Sequence, residues 1–168
     1  MLRRAPRIQD TLRTLGLRWP DLAPTHEFVP AIRHADMIFV SGHAPYRDGG
    51  FRHKGRVGAE LSLEDGRRAA RLAVLGCLAS LEAALGDLDL VERIVKMNAY
   101  VRCVADFHEL PSVTDGASRM LIDMFGDAGR HARTTIGVTA LPEGVSVECE
   151  LIVVARERDR RSQEGARP

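Results

Sequence analysis

Four residues near the end of the chain have types and spacing that could do chemistry: Arg133, Thr135, Glu148 and Glu150. The segment from Arg133 to Pro142 and the segment from Val145 to Val154 both alternate, and Leu141-Pro-Glu-Gly144 lies between them. Two alternating runs joined by a turn predict consecutive strands. Side chains alternate along a strand, so Arg133, Thr135 and Gly137 share one face of the first. In the second, Val145, Val147, Cys149, Leu151 and Val153 share one face and Glu148 and Glu150 the other. A guanidinium and a carboxylate are thus expected on neighbouring strands, on faces that are not core. Such a pair could hold a small carboxylate and a water: the guanidinium binds a carboxylate through two parallel bonds, and the glutamate can act as a base on water.

The elements that must position these groups follow from periodicity. Glu27–Arg33 and Met37–Ser41 read as a hairpin with His34-Ala-Asp36 between. Residues 44–61 carry Pro45, Gly49, Gly50, Gly55 and Gly58 and read as a loop. Ser62 then caps a helix, with Asp65 at the reciprocal position. Its wide apolar stripe runs through Leu63, Ala70, Val74, Cys77, Leu81 and Ala84 to a stop at Gly86. From Arg93 to Cys103 the alternation places Val95, Met97, Ala99 and Val101 on one face and Lys96, Asn98, Tyr100 and Arg102 on the other. A second helix spans Phe107–Phe125, with Val113, Ala117, Met120, Leu121 and Met124 inward and Pro111 in or before its first turn. The order β-β-α-β-α-β-β predicts an α+β fold with one mixed sheet and both helices on one face. The second face would then carry Lys96, Asn98, Tyr100, Arg102, Arg133, Thr135, Glu148 and Glu150 among Ile94, Ile152 and Val154, which solvent or a symmetric oligomer could satisfy.

Length and composition bound the rest. A chain of 168 residues is one domain in size. We expect an N-terminal extension over residues 1–20 with a short helix marked by Ile8, Leu12 and Leu15. One domain follows over 21–155, then a disordered charged tail over 156–168. Net charge is +1, from 24 basic and 23 acidic side chains, which argues against a nucleic-acid footprint. Cys77, Cys103 and Cys149 stand alone, as in a reducing compartment. There is no apolar stretch of the kind a signal peptide or membrane helix needs, so the expected location is cytoplasmic. The six histidines show no metal-ligand spacing, and no nucleophile-elbow, phosphate-loop or dinucleotide motif occurs. No metal or cofactor is expected.

The chain resembles the reactive-intermediate deaminase (Rid, or YjgF-like) family over roughly residues 10–155. The resemblance rests on Met37-Ile-Phe-Val-Ser-Gly42, the helix from Ser62 to Gly86, Val91–Val101, and the run from Ala132-Arg133 through Leu141-Pro142 to Val147-Glu148-Cys-Glu150. It implies a chorismate-mutase-like fold and a homotrimer with ligand sites between subunits. The implied activity is hydrolysis of enamine or imine intermediates to 2-oxoacids and ammonia, although some family members are described as endoribonucleases. By the same resemblance Arg133 grips the substrate carboxylate and Glu148 positions or activates the attacking water. Thr135, Ser41 and Gly42 contribute contacts, and Phe28 forms a wall. The chain departs from the family at Phe28, where a tyrosine is usual, at His43 in place of glutamine, at Asp115 in place of asparagine, and at Cys149 between the two glutamates. Two classes of function stay open: an imine hydrolase, and a non-catalytic trimer that senses a small carboxylate.

Overall fold

The computed structural model describes residues 8–23 and 27–157. The expected tail lies, from residue 158 on, outside the described residues, as do the arginines at 3, 4 and 7. A five-stranded sheet has the order β1-β2-β7-β5-β6, formed by β1 (Ala31–His34), β2 (Met37–His43), β5 (Val91–Arg102), β6 (Ala132–Val138) and β7 (Val147–Ala155). All pairings are antiparallel except β5 with β6, which is parallel. The mixed α+β architecture agrees with the expectation, with α2 (Leu63–Leu85) and α3 (Leu110–Phe125) packed against each other and on the sheet.

Local chemistry accounts for the long helix. Ser62 accepts from the Asp65 N–H at 3.1 Å, and the Asp65 carboxylate accepts from the Ser62 N–H at 3.1 Å, so two otherwise orphaned donors are satisfied. Gly86 ends it with φ 73°, a left-handed cap that glycine adopts without steric cost. An unbroken run from Leu72 to Leu81 is buried, because the sheet lies beneath α2 and α3 beside it. The core of Ile38, Leu75, Leu78, Ile94, Met97, Leu121 and Leu151 fills the space between. The short helix α1 (Ile8–Thr14) joins that core through Ile8 and Leu12, and the Ile8 N–H donates to Asp89 at 3.0 Å. Leu15, expected on its packed side, is 39 % exposed.

Three expectations need correction. The strands bearing Arg133 and Glu148 are not neighbours, since β5 lies between them. The alternation of β5 is broken between Ile94 and Lys96: a bulge turns Ile94 into the core and leaves Val95 37 % exposed. Residues 44–61 are not wholly loop, because β3 (Tyr46–Arg47) and β4 (Gly50–Phe51) pair as a small hairpin. Asp48 and Gly49 make its turn with φ 51° and 70°, the positive pair that suits the twist of a tight hairpin.

Candidate functional site

Register places the two principal side chains on opposite faces of the sheet. Arg133 pairs with Met97, which pairs with Leu151. Met97 and Leu151 are buried beneath the helices, and directly opposed residues share a face. Arg133 and Thr135 therefore belong to the helix side, not to the open face expected for them. Glu148 pairs with Tyr100, which pairs with Ile136, and these point away from the helices. Two strand spacings and three residues of offset separate Arg133 from Glu148 by about 14 Å between α-carbons.

On the helix side Arg133 is held by α3. Its Nη1 donates to Asp115 Oδ1 at 2.8 Å and to Ser118 Oγ at 3.0 Å. Ser118 also bonds His131 Nε2 at 3.1 Å, and His131 Nδ1–H donates to the Gly129 carbonyl at 2.7 Å. Burial, with the Arg133 charge adding to it, holds His131 below the ordinary histidine range, against the pull of the Gly129 carbonyl. Thr135 Oγ1 meets Thr114 Oγ1 of α3 at 2.9 Å. The Arg133–Asp115 pair is unequal: Asp115 is 60 % exposed and Arg133 24 %.

The other site surrounds Glu148. A bulge in β2 between Val40 and His43 brings Gly42 against the Glu148 carboxyl. A β-carbon at position 42 would collide with Glu148 Oε1, so the close approach requires glycine. Among the described residues no hydrogen-bond donor reaches Glu148, in contrast with Glu150, which accepts from Asn98 at 2.7 Å and Tyr100 at 3.3 Å. Burial, and secondarily the Glu150 charge, raise the Glu148 pKa above the ordinary carboxylate range. The carboxyl opens into a cavity of about 540 Å³ lined by Phe28, Gly42, His43, Tyr46, Phe51 and Pro142 among others.

His43 forms part of the wall and is fully engaged. Its Nδ1–H donates to the Ser41 carbonyl at 2.7 Å, which leaves Nε2 to accept from the Ser80 hydroxyl at 2.6 Å. The ring sits over Gly76 of α2, and burial lowers its pKa against the pull of the Ser41 carbonyl. Ser41 does not line the cavity; its hydroxyl donates to the Val29 carbonyl at 2.7 Å, which ties down the segment after Phe28. The structure thus brings together Glu148, Gly42 and Phe28, and separately Arg133 and Thr135. Tyr46 and Phe51 were missed as site residues, although Asp48-Gly49 between them is a hairpin signal. Among the described residues no cluster of His, Cys, Asp and Glu could hold a metal, and no helix is long and apolar enough to cross a membrane.

The strand order, the two helices on one face and the glycine-backed glutamate define a chorismate-mutase-like α+β protein. Residues 10–154 match the family described as "YjgF/chorismate mutase-like, putative endoribonuclease", and the chain belongs to that family. It is 38 % identical over 149 residues to protein TCP17 of Trypanosoma cruzi, covering 88 % of this chain and 93 % of that one. The solved structure of Atu1372 from Agrobacterium tumefaciens superposes with a TM-score of 0.84 at 35 % identity, over 89 % of this chain and 92 % of that chain. The YjgF gene product of E. coli shares the fold with a TM-score of 0.60 at 23 % identity, over 83 % and 96 %.

Proposed function

We propose that the protein is a cytoplasmic homotrimer that hydrolyses small enamine or imine carboxylates to 2-oxoacids and ammonia in clefts between copies. The observation that carries this reading is the Glu148 carboxyl: partly buried, raised in pKa, without a donor among the described residues, and facing a cavity. A carboxylate at the cavity wall can accept a proton and return it, and burial, by raising its pKa, makes it a stronger base. In the proposed step Glu148 takes a proton from water as the water oxygen bonds to the imine carbon. The carbon–nitrogen π pair moves to nitrogen, which takes that proton back from Glu148 to give a carbinolamine. Glu148 then carries the hydroxyl proton to the same nitrogen, the carbon–nitrogen bond breaks with its electron pair leaving on ammonia, and the carbonyl forms.

Arg133 lies too far from Glu148, and on the wrong face, to serve the same cavity in one chain. A second copy presenting its β6 edge to the Glu148 cavity would complete the site. Large apolar side chains on the open face support association: Ile32 is 58 %, Ile136 46 % and Phe39 41 % exposed. An incoming substrate carboxylate would compete with Asp115 for Arg133, and a half-exposed pair of that kind is worth only about 0–1 kcal/mol. Thr135 would lie beside that carboxylate.

The direct test is ammonia release from freshly generated 2-iminopropanoate and 2-iminobutanoate, with acceleration over spontaneous hydrolysis expected. A second reading, a non-catalytic sensor of small carboxylates, draws on Phe28, whose ring supplies a wall without a hydroxyl. Saturable carboxylate binding without acceleration, unchanged in Phe28→Tyr, would select it.

A further inference from the structure

In the single chain, before a second copy's β6 edge is brought to it, the Glu148 cavity has room for more than a three-carbon imino acid. At about 540 Å³ it falls within the roughly 300–1,000 Å³ typical of sites that enclose whole organic ligands. Glu148 lies against Gly42 at one end, and Asp21 and Glu143 also border the cavity. His43 adds ring carbon there rather than a free polar atom, because both its nitrogens are engaged within the chain. Much of the remaining wall is carbon: Leu22, Phe28, Tyr46, Phe51 and Pro142.

Two of the three rings of that wall are fixed in place, whereas Phe28 is 58 % exposed. Tyr46 and Phe51 face each other across the β3–β4 hairpin with ring centroids 5.0 Å apart and planes at 71°, an edge-to-face pair. The Arg52 N–H donates to the Pro45 carbonyl at 2.7 Å, and Arg52 Nε to the Arg47 carbonyl at 3.1 Å, closing the hairpin. Beyond it, the Gly55 N–H bonds the Gly144 carbonyl at 2.9 Å, and the Ser146 N–H bonds the His53 carbonyl at 3.0 Å. These bonds tie the hairpin to the turn that brings Pro142 to the cavity. That part of the wall is therefore preorganised, which lowers the ordering cost of binding a ring against it.

We propose that this cavity selects substrates whose carboxylate-bearing carbon skeleton carries an aromatic or comparably large apolar side chain, seated against Tyr46, Phe51 and Phe28. The proposal rests on the reading of the Glu148 cavity as an imino-acid site and specifies its substrate class. The imine carbon would lie at Glu148, the carboxylate toward Arg133 of the second copy, and the side chain would extend toward the hairpin. Tyr46 and Phe51 are then specificity residues, placed to act on binding rather than on the proton transfer.

Calorimetric titration of the full chain with pyruvate, 4-methyl-2-oxopentanoate and phenylpyruvate tests this, with indole as a neutral aromatic probe. Phenylpyruvate is expected to bind about tenfold or more tighter than pyruvate, because it buries a ring that pyruvate lacks. Phe51→Ala should remove most of that preference, weakening phenylpyruvate far more than pyruvate. Phe51→Leu, which keeps the hairpin's apolar volume, should remove part of it and guards against misfolding. Equal affinity for the three acids overturns the proposal and leaves the carboxylate site standing. Indole binding that Phe51→Ala abolishes, with no acid bound, supports the aromatic subsite and removes the imino-acid reading. Binding of none of the four probes overturns both.

Discussion

Arg133 and Glu148 occupy regions that treat charge in opposite ways. On the helix side the Arg133 guanidinium is met by Asp115 and Ser118, and Ser118 by His131, so the group is satisfied inside its own chain. On the open side the Glu148 carboxyl has no donor among the described residues and touches the backbone of a glycine. Glu150, two residues along the same strand, has two donors. Glu148 is only partly buried, so its carboxyl is open to whatever enters the cavity. The contrast marks Glu148 as the reactive end of the proposed site and Arg133 as the end that positions.

Replacing Glu148 should break the comparison most severely. Glu148→Gln keeps the shape and removes the base, so turnover of an imine substrate should fall by roughly 10²–10⁴, with ligand affinity changed little. Steady-state kinetics with ammonia detection checks the split between rate and binding. Arg133→Ala should act the other way, weakening carboxylate binding by about 2–5 kcal/mol if the pair is desolvated on docking. Calorimetry with a 2-oxoacid measures it, and unchanged affinity would leave Arg133 only its bonds to α3. Gly42→Ala should displace the Glu148 carboxyl and cost about 1–3 kcal/mol of stability through overpacking, read by chemical denaturation.

The smallest effect concerns pH. Because the folded-state pKa of Glu148 is raised, the folded protein holds this proton more tightly than the unfolded chain does. The stability from that preference is complete below the unfolded value and is lost as pH rises through the folded one. Glu148→Gln should therefore melt at a higher temperature than the parent at neutral pH, with the difference shrinking as pH falls toward 4. His43 carries the opposite sign: its lowered pKa gives stability that is present above the ordinary histidine value and lost as pH falls through the folded value. His43→Gln should flatten the parent's loss of stability on acidification below about pH 6.5. Melting curves of the parent and both variants separate the two contributions.

Much of this architecture was legible in the residues. The capping box at Ser62 and Asp65, the Gly86 stop and the alternation from Val147 to Ala155 each specify an element through local chemistry, and the structure contains all of them. Alternation tells which residues share a face of a strand but not which strand lies alongside. Hence β6 and β7, adjacent in the chain, were read as neighbours although β5 separates them. The face of Arg133 was misread for a related reason. The edge strand β6 is partly exposed on both sides, so polarity does not distinguish its helix face. The bulge at Val95 shifts the pattern by one residue within an otherwise regular run. Phe28, Gly42 and Glu148 do meet as a set, whereas the aromatic hairpin at 46–51 was hidden because two-residue strands are too short to show a period.

The central claim is that one active site is built from Arg133 of one copy and Glu148 of another. Co-refolding equal amounts of Arg133→Ala and Glu148→Gln, assayed at a substrate concentration low enough that each alone is strongly impaired, tests it most directly. In a cyclic trimer with random mixing, about a quarter of the interfaces would unite an intact Arg133 with an intact Glu148. The account predicts recovery of about a quarter of the parental imine-hydrolysing activity. No recovery from mixed oligomers, verified by mass, would contradict it.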